Sequence, residues 1–132
     1  MNNKKTIICI DAGHGGEMNG AAYTYDEKKI CEKDLNLQIA LKLEQELLKY
    51  KNIEIIQTRR EDITLELHDR IQKAIDNNAD YLISLHNNAA PQGNPNLCGC
   101  AVLVTSSHYQ PKSSRVPNIY ELSKHLGLSI ID

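Results

Sequence analysis

Two histidines, His14 and His86, have the residue type and the surroundings to do chemistry. His14 lies in Asp11-Ala12-Gly13-His14-Gly15-Gly16, directly after the apolar run Thr6-Ile7-Ile8-Cys9-Ile10. His86 follows a second such run, Tyr81-Leu82-Ile83-Ser84-Leu85. In an open parallel sheet, sites form at the carboxyl ends of the strands. If the two strands are neighbours, both imidazoles can converge on one point. Glu32 stands at the start of a helical pattern, and the chain between the glycine-rich loop and that helix can fold back over the same edge. Two imidazoles and a carboxylate are the ligand set of many catalytic zinc sites, which keep a fourth position open for water. Zinc in such a site acidifies water to a pKa of about 7 and polarises a carbonyl for attack. The glycines around His14 permit tight turns close to an ion. A loop histidine is also, ordinarily, a solvated polar residue, and a glutamate at a helix N-terminus is favoured by the macrodipole alone. From the residues alone both readings stand. His68, His108 and His125 read as solvated surface groups, and Arg70 as a structural ion-pair residue.

The elements that must position these groups alternate between strand and helix. Thr6 to Ile10 is a short continuous apolar run, as in a strand buried on both faces. A helix is predicted from Glu32 toward Asn52, with Leu35, Ile39, Leu43 and Leu47 on its apolar face, widened by Ala40 and Leu48. Ile53 to Thr58 reads as a strand, and residues 64–77 as a helix with Leu67, Ile71, Ala74 and Ile75 facing the core. Tyr81 to Leu85 is the third strand. Residues 87–99, rich in Asn, Pro and Gly, form a loop. Ala101 to Thr105 reads as a fourth strand, and Asn118 to about Leu126 as a last helix. This order implies right-handed crossovers and one α/β domain over residues 1–132, with a mainly parallel, twisted sheet and helices on both faces.

Composition narrows the function. The 132 residues carry 15 Lys+Arg against 17 Asp+Glu, a net charge of −2, so the basic surplus of a nucleic-acid binder is missing. A hydrophobic fraction of 41% supports one core, built without Trp or Phe from Ile, Leu, Val and six Tyr. No apolar run approaches the roughly 20 residues of a membrane span. The run after Met1-Asn2-Asn3-Lys4-Lys5 is too short for a signal-peptide core, so synthesis in the cytoplasm is expected. Cys9, Cys31, Cys98 and Cys100 do not form a zinc-finger pattern, and reduced thiols are expected. Met18 stands where a dinucleotide fingerprint needs its third glycine, and no Gly-x-Ser-x-Gly elbow accompanies the esterase-like glycine loop.

The chain resembles the zinc-dependent N-acetylmuramoyl-L-alanine amidases, the catalytic domains of bacterial autolysins, cell-separation enzymes and phage endolysins. Ile8-Cys9-Ile10-Asp11-Ala12-Gly13-His14-Gly15-Gly16, with Gly20-Ala21, is similar to the family's first-ligand motif. Glu32-Lys33-Asp34-Leu35-Asn36-Leu37 is similar to the second, and Ala79 to Ala89 to the third. Thr58-Arg59, Asp62, Leu67, Arg70 and Gly99 fall at matching places between and after them. The resemblance implies one Zn2+ held by His14, Glu32 and His86. It further implies peptidoglycan as partner, with cleavage of the amide between N-acetylmuramic acid and the L-alanine of the stem peptide. It places the activity at the cell wall, reached by lysis or another route.

Two departures bear on these expectations. Ala12 replaces the family's proline, which alanine's extended backbone tolerates. The family also continues through a further strand, bearing an acid/base glutamate, and a closing helix. The sequence stops at Asp132, so that strand and helix are expected to be missing, and no catalytic acid/base is identified. Glu17 and Glu27 are the nearest glutamates, and their spacing recommends neither. The alternative expectation is a non-catalytic remnant that binds zinc and muropeptide.

Overall fold

The computed structural model describes residues 4–89, 96, 99–104 and 119–131. The chain divides into two compact units, residues 1–89 and 90–132.

The apolar run after Lys5 forms strand β1 (Thr6–Ala12). Its residues Cys9, Ile10 and Ala12 are fully buried because β1 is the middle strand of a three-stranded sheet. The other two strands are β4 (Ile53–Gln57) and β5 (Tyr81–Leu85), both parallel to β1. The register aligns Ile10 with Gln57 on one side and Ala12 with Leu85 on the other. With neighbours on both sides reached by separate crossovers, the carboxyl end of β1 is a topological switch point.

Between β1 and the first helix the chain forms an antiparallel hairpin, β2 (Ala22–Tyr25) and β3 (Lys28–Cys31). Its turn, Asp26-Glu27, has φ of 48° and 60°, so both central residues are left-handed, as the tight hairpin turn requires. The sequence pattern assigns no element between the glycine-rich loop and Glu32. The alternation Tyr-Thr-Tyr was present, but Asp-Glu lacks the Asn-Gly or Asp-Gly signature of such turns.

Helix α1 (Glu32–Leu47) starts without a side-chain cap. Instead the Glu32 N–H donates to Ala21 O at 2.7 Å and the Lys33 N–H to Asn19 O at 3.1 Å, so the preceding loop satisfies the orphan donors of the first turn. Leu37, Ala40, Leu43 and Leu47 pack on Ile8, Ile10 and Ala12. The expected apolar face is rotated. Leu35, Ile39 and Leu48 are substantially exposed, and the fully buried positions are Glu32, Asn36, Ala40 and Glu44. These recur every four residues, and three of the four are polar because each has a tertiary partner: Glu32 and Asn36 at the sheet edge, and Glu44 with the exposed Arg60 that covers it.

Helix α2 (Leu67–Asp76) begins three residues later than the periodicity predicts. The preceding segment is held on the glycine loop instead: Asp62 Oδ1 accepts from the Gly16 N–H at 2.7 Å and Thr64 Oγ1 from the Glu17 N–H at 3.1 Å. Here too the buried face differs from expectation. Arg70 and Ala74 are buried, while Leu67, Ile71 and Ile75 are more than half exposed. Arg70 reaches Asp11, and Lys73 donates to Thr58 O at 2.9 Å, so α2 serves the face of β1 opposite to α1. The left-handed Asn78, φ 52°, closes this helix.

In the second unit, helix α3 (Ile119–Ile131) runs longer than the expected segment. The expected fourth strand, Ala101 to Thr105, is corrected: Ala101 to Val104 have no strand structure, and Thr105 lies outside the described residues. An apolar run becomes a strand only through a ladder partner, and these four residues have none. Among the described residues, no helix is long and apolar enough to cross a membrane.

Candidate metal centre

The pairing of Ala12 with Leu85 brings two histidines to one edge. The chain leaves β1 through Gly13, whose N–H donates to Leu85 O at 3.0 Å, and His14 follows. His86 follows Leu85 directly. The two imidazole rings meet edge to face with centroids 4.9 Å apart. Glu32, first residue of α1, enters from the side, its carboxylate almost wholly buried. His14 Nε2 is 3.3 Å from Glu32 Oε2, and His86 Nδ1 is 2.9 Å from Glu32 Oε1. One donor atom from each residue lies within 4.8 Å of the other two, so the group could hold a metal ion.

The donor set suits zinc. Ligands at roughly 2.0–2.2 Å from a tetrahedral ion stand about 3–4 Å apart, and the donor atoms of these side chains lie within 4.8 Å of one another. The carboxylate is oriented by backbone amides on both of its oxygens. Glu32 Oε2 accepts from the Ala21 N–H at 2.8 Å, and Oε1 accepts from the Asn87 N–H at 2.9 Å. Burial by itself pushes the Glu32 carboxyl upward. The Ala21 and Asn87 amides, the His86 ring and the charge of His14 outweigh that and hold it below the usual glutamate range. It is therefore an anion at neutral pH, as a ligand must be.

Two glycines make space for the ligands. A Cβ on Gly13 would overlap Cε1 and Nε2 of His86, and one on Gly20 would lie 2.6 Å from both Glu32 Oε2 and His14 Cδ2. Gly20 also has φ of 66°, a conformation that glycine adopts without strain. This cradle, which a side chain would fill, is an observation of shape independent of residue type.

Comparison with known proteins now decides the family. The sequence profile of the N-acetylmuramoyl-L-alanine amidases matches residues 8–126. The chain belongs to this family. It is 37% identical over 105 residues to the N-acetylmuramoyl-L-alanine amidase AmiC of Escherichia coli, covering 80% of this chain and 24% of that protein. It is 39% identical over 87 residues to the endolysin of Bacillus phage SPP1, covering 66% of this chain and 31% of the endolysin. Among solved structures, the N-acetylmuramoyl-L-alanine amidase of Clostridium difficile 630 superposes with a TM-score of 0.64 at 41% identity, over 69% of this chain and 48% of that one. The chain spans less than half the length of each of these proteins.

Inside the amidase-family motifs stand two residues to which the sequence alone assigned no role. Asn36, fully buried, donates to Gly13 O at 3.1 Å and accepts from Asn87 Nδ2 at 2.7 Å, joining α1 to both histidine-bearing segments. Its signal was a polar residue one turn after Glu32, on the same helix face. Asp11, buried in an otherwise apolar strand, accepts from Thr58 Oγ1 at 2.7 Å, Arg70 Nη1 at 2.8 Å and Ser84 Oγ at 2.6 Å. Burial opposes its charge, but the Ser84, Thr58 and Arg70 hydrogen bonds together keep its carboxyl below the usual aspartate range. The ion pair expected of Arg70 is present, with Asp11 as partner.

Other candidates lie apart. Glu17 is exposed in the glycine loop, and Glu27 is exposed at the hairpin turn. His68 and His125 are exposed, as expected for solvated groups; His108 is outside the described residues. Cys9, Cys31 and Cys100 are free thiols outside the cluster, and Cys98 is outside the described residues. Burial raises the Cys9 thiol above its usual range, as suits an inert core residue.

Proposed function

We propose that this chain is the zinc-binding part of a peptidoglycan amidase that cleaves the bond between the lactyl group of N-acetylmuramic acid and the L-alanine of the stem peptide. The observation that carries this is the convergence of His14, Glu32 and His86 at the carboxyl edge of the sheet. These three residues would hold a single Zn2+. Bound there, zinc supplies Lewis acidity, polarising the amide carbonyl and making water a nucleophile at neutral pH. The protein's own residues do the rest. The Ala21 and Asn87 amides fix the carboxylate, Asn36 locks Asn87 to the helix, and the buried Glu32 stays ionised. The 87–99 segment follows His86 directly in sequence, and its polar residues would meet the glycan and the stem peptide. The site of action is the bacterial cell wall.

Breaking an amide also requires a proton for the departing amine, a step for which a positioned acid typically contributes 10²–10⁴-fold. Among the described residues, the metal cluster has no carboxylate besides Glu32, itself proposed as a ligand. A second reading is that the chain binds zinc and muropeptide without turnover. Incubating the zinc-loaded protein with purified peptidoglycan separates the two. New amino-terminal L-alanine that disappears with a chelator and in His86→Ala supports the amidase. Wall binding without new amino groups supports the binding reading. Cleavage that survives both chelation and His86→Ala overturns the zinc reading.

A further inference from the structure

The loop bearing His14 is held by two arginines that bond its backbone carbonyls rather than the side chains of the metal cluster. Arg59, immediately after Thr58, and Arg70 on α2 are 2% and 4% exposed. Arg59 Nε donates to Ala12 O at 2.9 Å and its Nη2 to Gly13 O at 3.1 Å. Arg70 Nη1 donates to Ala12 O and its Nη2 to His14 O, both at 2.8 Å. Three consecutive carbonyls, Ala12 to His14, are thus taken up by guanidinium groups. As the chain turns away from its last ladder partner, the arginines are the donors to Ala12 O and His14 O, while Gly13 O also accepts from Asn36. The arrangement coincides with a backbone that needs holding: His14 has φ of 62°, a left-handed conformation unfavourable for a residue with a Cβ.

Both arginines are anchored in turn. Arg70 spends its remaining N–H groups on Leu65 O, at 3.0 and 3.1 Å, and on Asp11 Oδ1 at 2.8 Å, so all of its donors are engaged. Arg59 Nη2 also donates to Lys33 O at 2.8 Å, and its Nη1 to Glu61 O at 3.2 Å. Arg59 therefore joins the His14 loop to the first turn of α1, one residue from Glu32.

We propose that Arg59 and Arg70 are positioning residues of the metal centre: they hold His14 in its left-handed conformation and fix its distance from Glu32. The proposal rests on the zinc reading above for its effect on metal, but its structural half does not. Lysine cannot replace either residue, because an ammonium is a point donor while these sites use a planar fork reaching several carbonyls.

The test is Arg70→Lys and Arg59→Lys, each of which keeps the charge. Two measurements are made well below the melting temperature of each variant. Zinc affinity is read by competition with a chromophoric chelator. Partners that orient a ligand typically contribute 10–100-fold to metal affinity, so a loss of about that size is expected in each variant. Amide hydrogen exchange of the metal-free protein is read at Gly13, Gly15 and Gly16, whose N–H groups are bonded to Leu85, Met18 and Asp62. Exchange there should accelerate at least tenfold relative to the amides of β1 and β4. A merely structural role predicts a lower melting temperature, uniformly faster exchange and unchanged zinc affinity in the folded protein, and that result overturns the proposal. If the unsubstituted protein binds no zinc, the zinc reading fails while the exchange pattern still decides for or against the clamp.

Discussion

Replacing Gly13 by alanine isolates the geometry of the metal centre from its chemistry. The backbone at Gly13 is outside the left-handed region, so alanine is conformationally acceptable there and the effect is steric. The added methyl would overlap Cε1 and Nε2 of His86 and sit 2.8 Å from Leu85 O, whereas ordinary contact begins at 3.4 Å. The imidazole must retreat by about 1 Å, several times the tolerance of roughly 0.2 Å on a metal–ligand distance. In the metal-free protein the ring can swing aside at the cost of its contact with Glu32 Oε1, and the Leu85 contact then remains. With the ion bound it must stay, and the overlap costs about 1–3 kcal/mol, the usual range for overpacking. At about 1.4 kcal/mol per tenfold, zinc affinity should fall by about 5–150-fold. Metal-free stability should fall by only about 1 kcal/mol. Isothermal titration with zinc and urea denaturation of the metal-free protein measure the two. Zinc affinity within twofold of the unsubstituted protein would refute the reasoning, because the ring would then not need the space that glycine leaves.

His14→Ala and His86→Ala should each abolish stoichiometric zinc, from one ion per chain to none, by elemental analysis after gel filtration. Cys98→Ser combined with Cys100→Ser should leave zinc content unchanged, and thiol titration under denaturing conditions should find four free sulfurs in the parent chain. Asn36→Ala removes a fully buried side chain that bonds Gly13 O and Asn87, and should destabilise the fold by about 1–3 kcal/mol in urea denaturation. The carboxyls of Asp11 and Glu32 are both held below their usual ranges, so their contribution to stability is complete above the unfolded-state values near pH 4 and is lost as pH falls through the lower folded-state values. The urea midpoint should therefore be flat from pH 7 to about 5 and fall below about 4, and Asp11→Asn should flatten that fall. An acid limb of equal depth in Asp11→Asn would show that Asp11 does not contribute to it.

Much of this molecule can be read directly from its order of residues. Alternating apolar runs and helical periods determined the α/β class and the places of β1, β4, β5 and α1, because a parallel sheet demands continuous apolar strands and intervening helices. The same order put His14 and His86 at strand ends. Which strands are neighbours is a long-range fact: the pairing of Ala12 with Leu85, 73 positions apart, is what turns two separate histidines into one site. The faces of α1 and α2 were misread for a related reason. Periodicity assumes that apolar side chains point inward, but Glu32, Asn36, Glu44 and Arg70 are buried because tertiary partners satisfy them. Their hydrogen bonds to Asn87, Gly13, Arg60 and Asp11 exist only after the sheet has formed. The run from Ala101 shows the converse, since β-propensity without a ladder partner makes no strand. Hydrophobic pattern carries the energy of burial and is written locally. The placement of a charged group inside depends on what meets it there, and only the folded chain decides that.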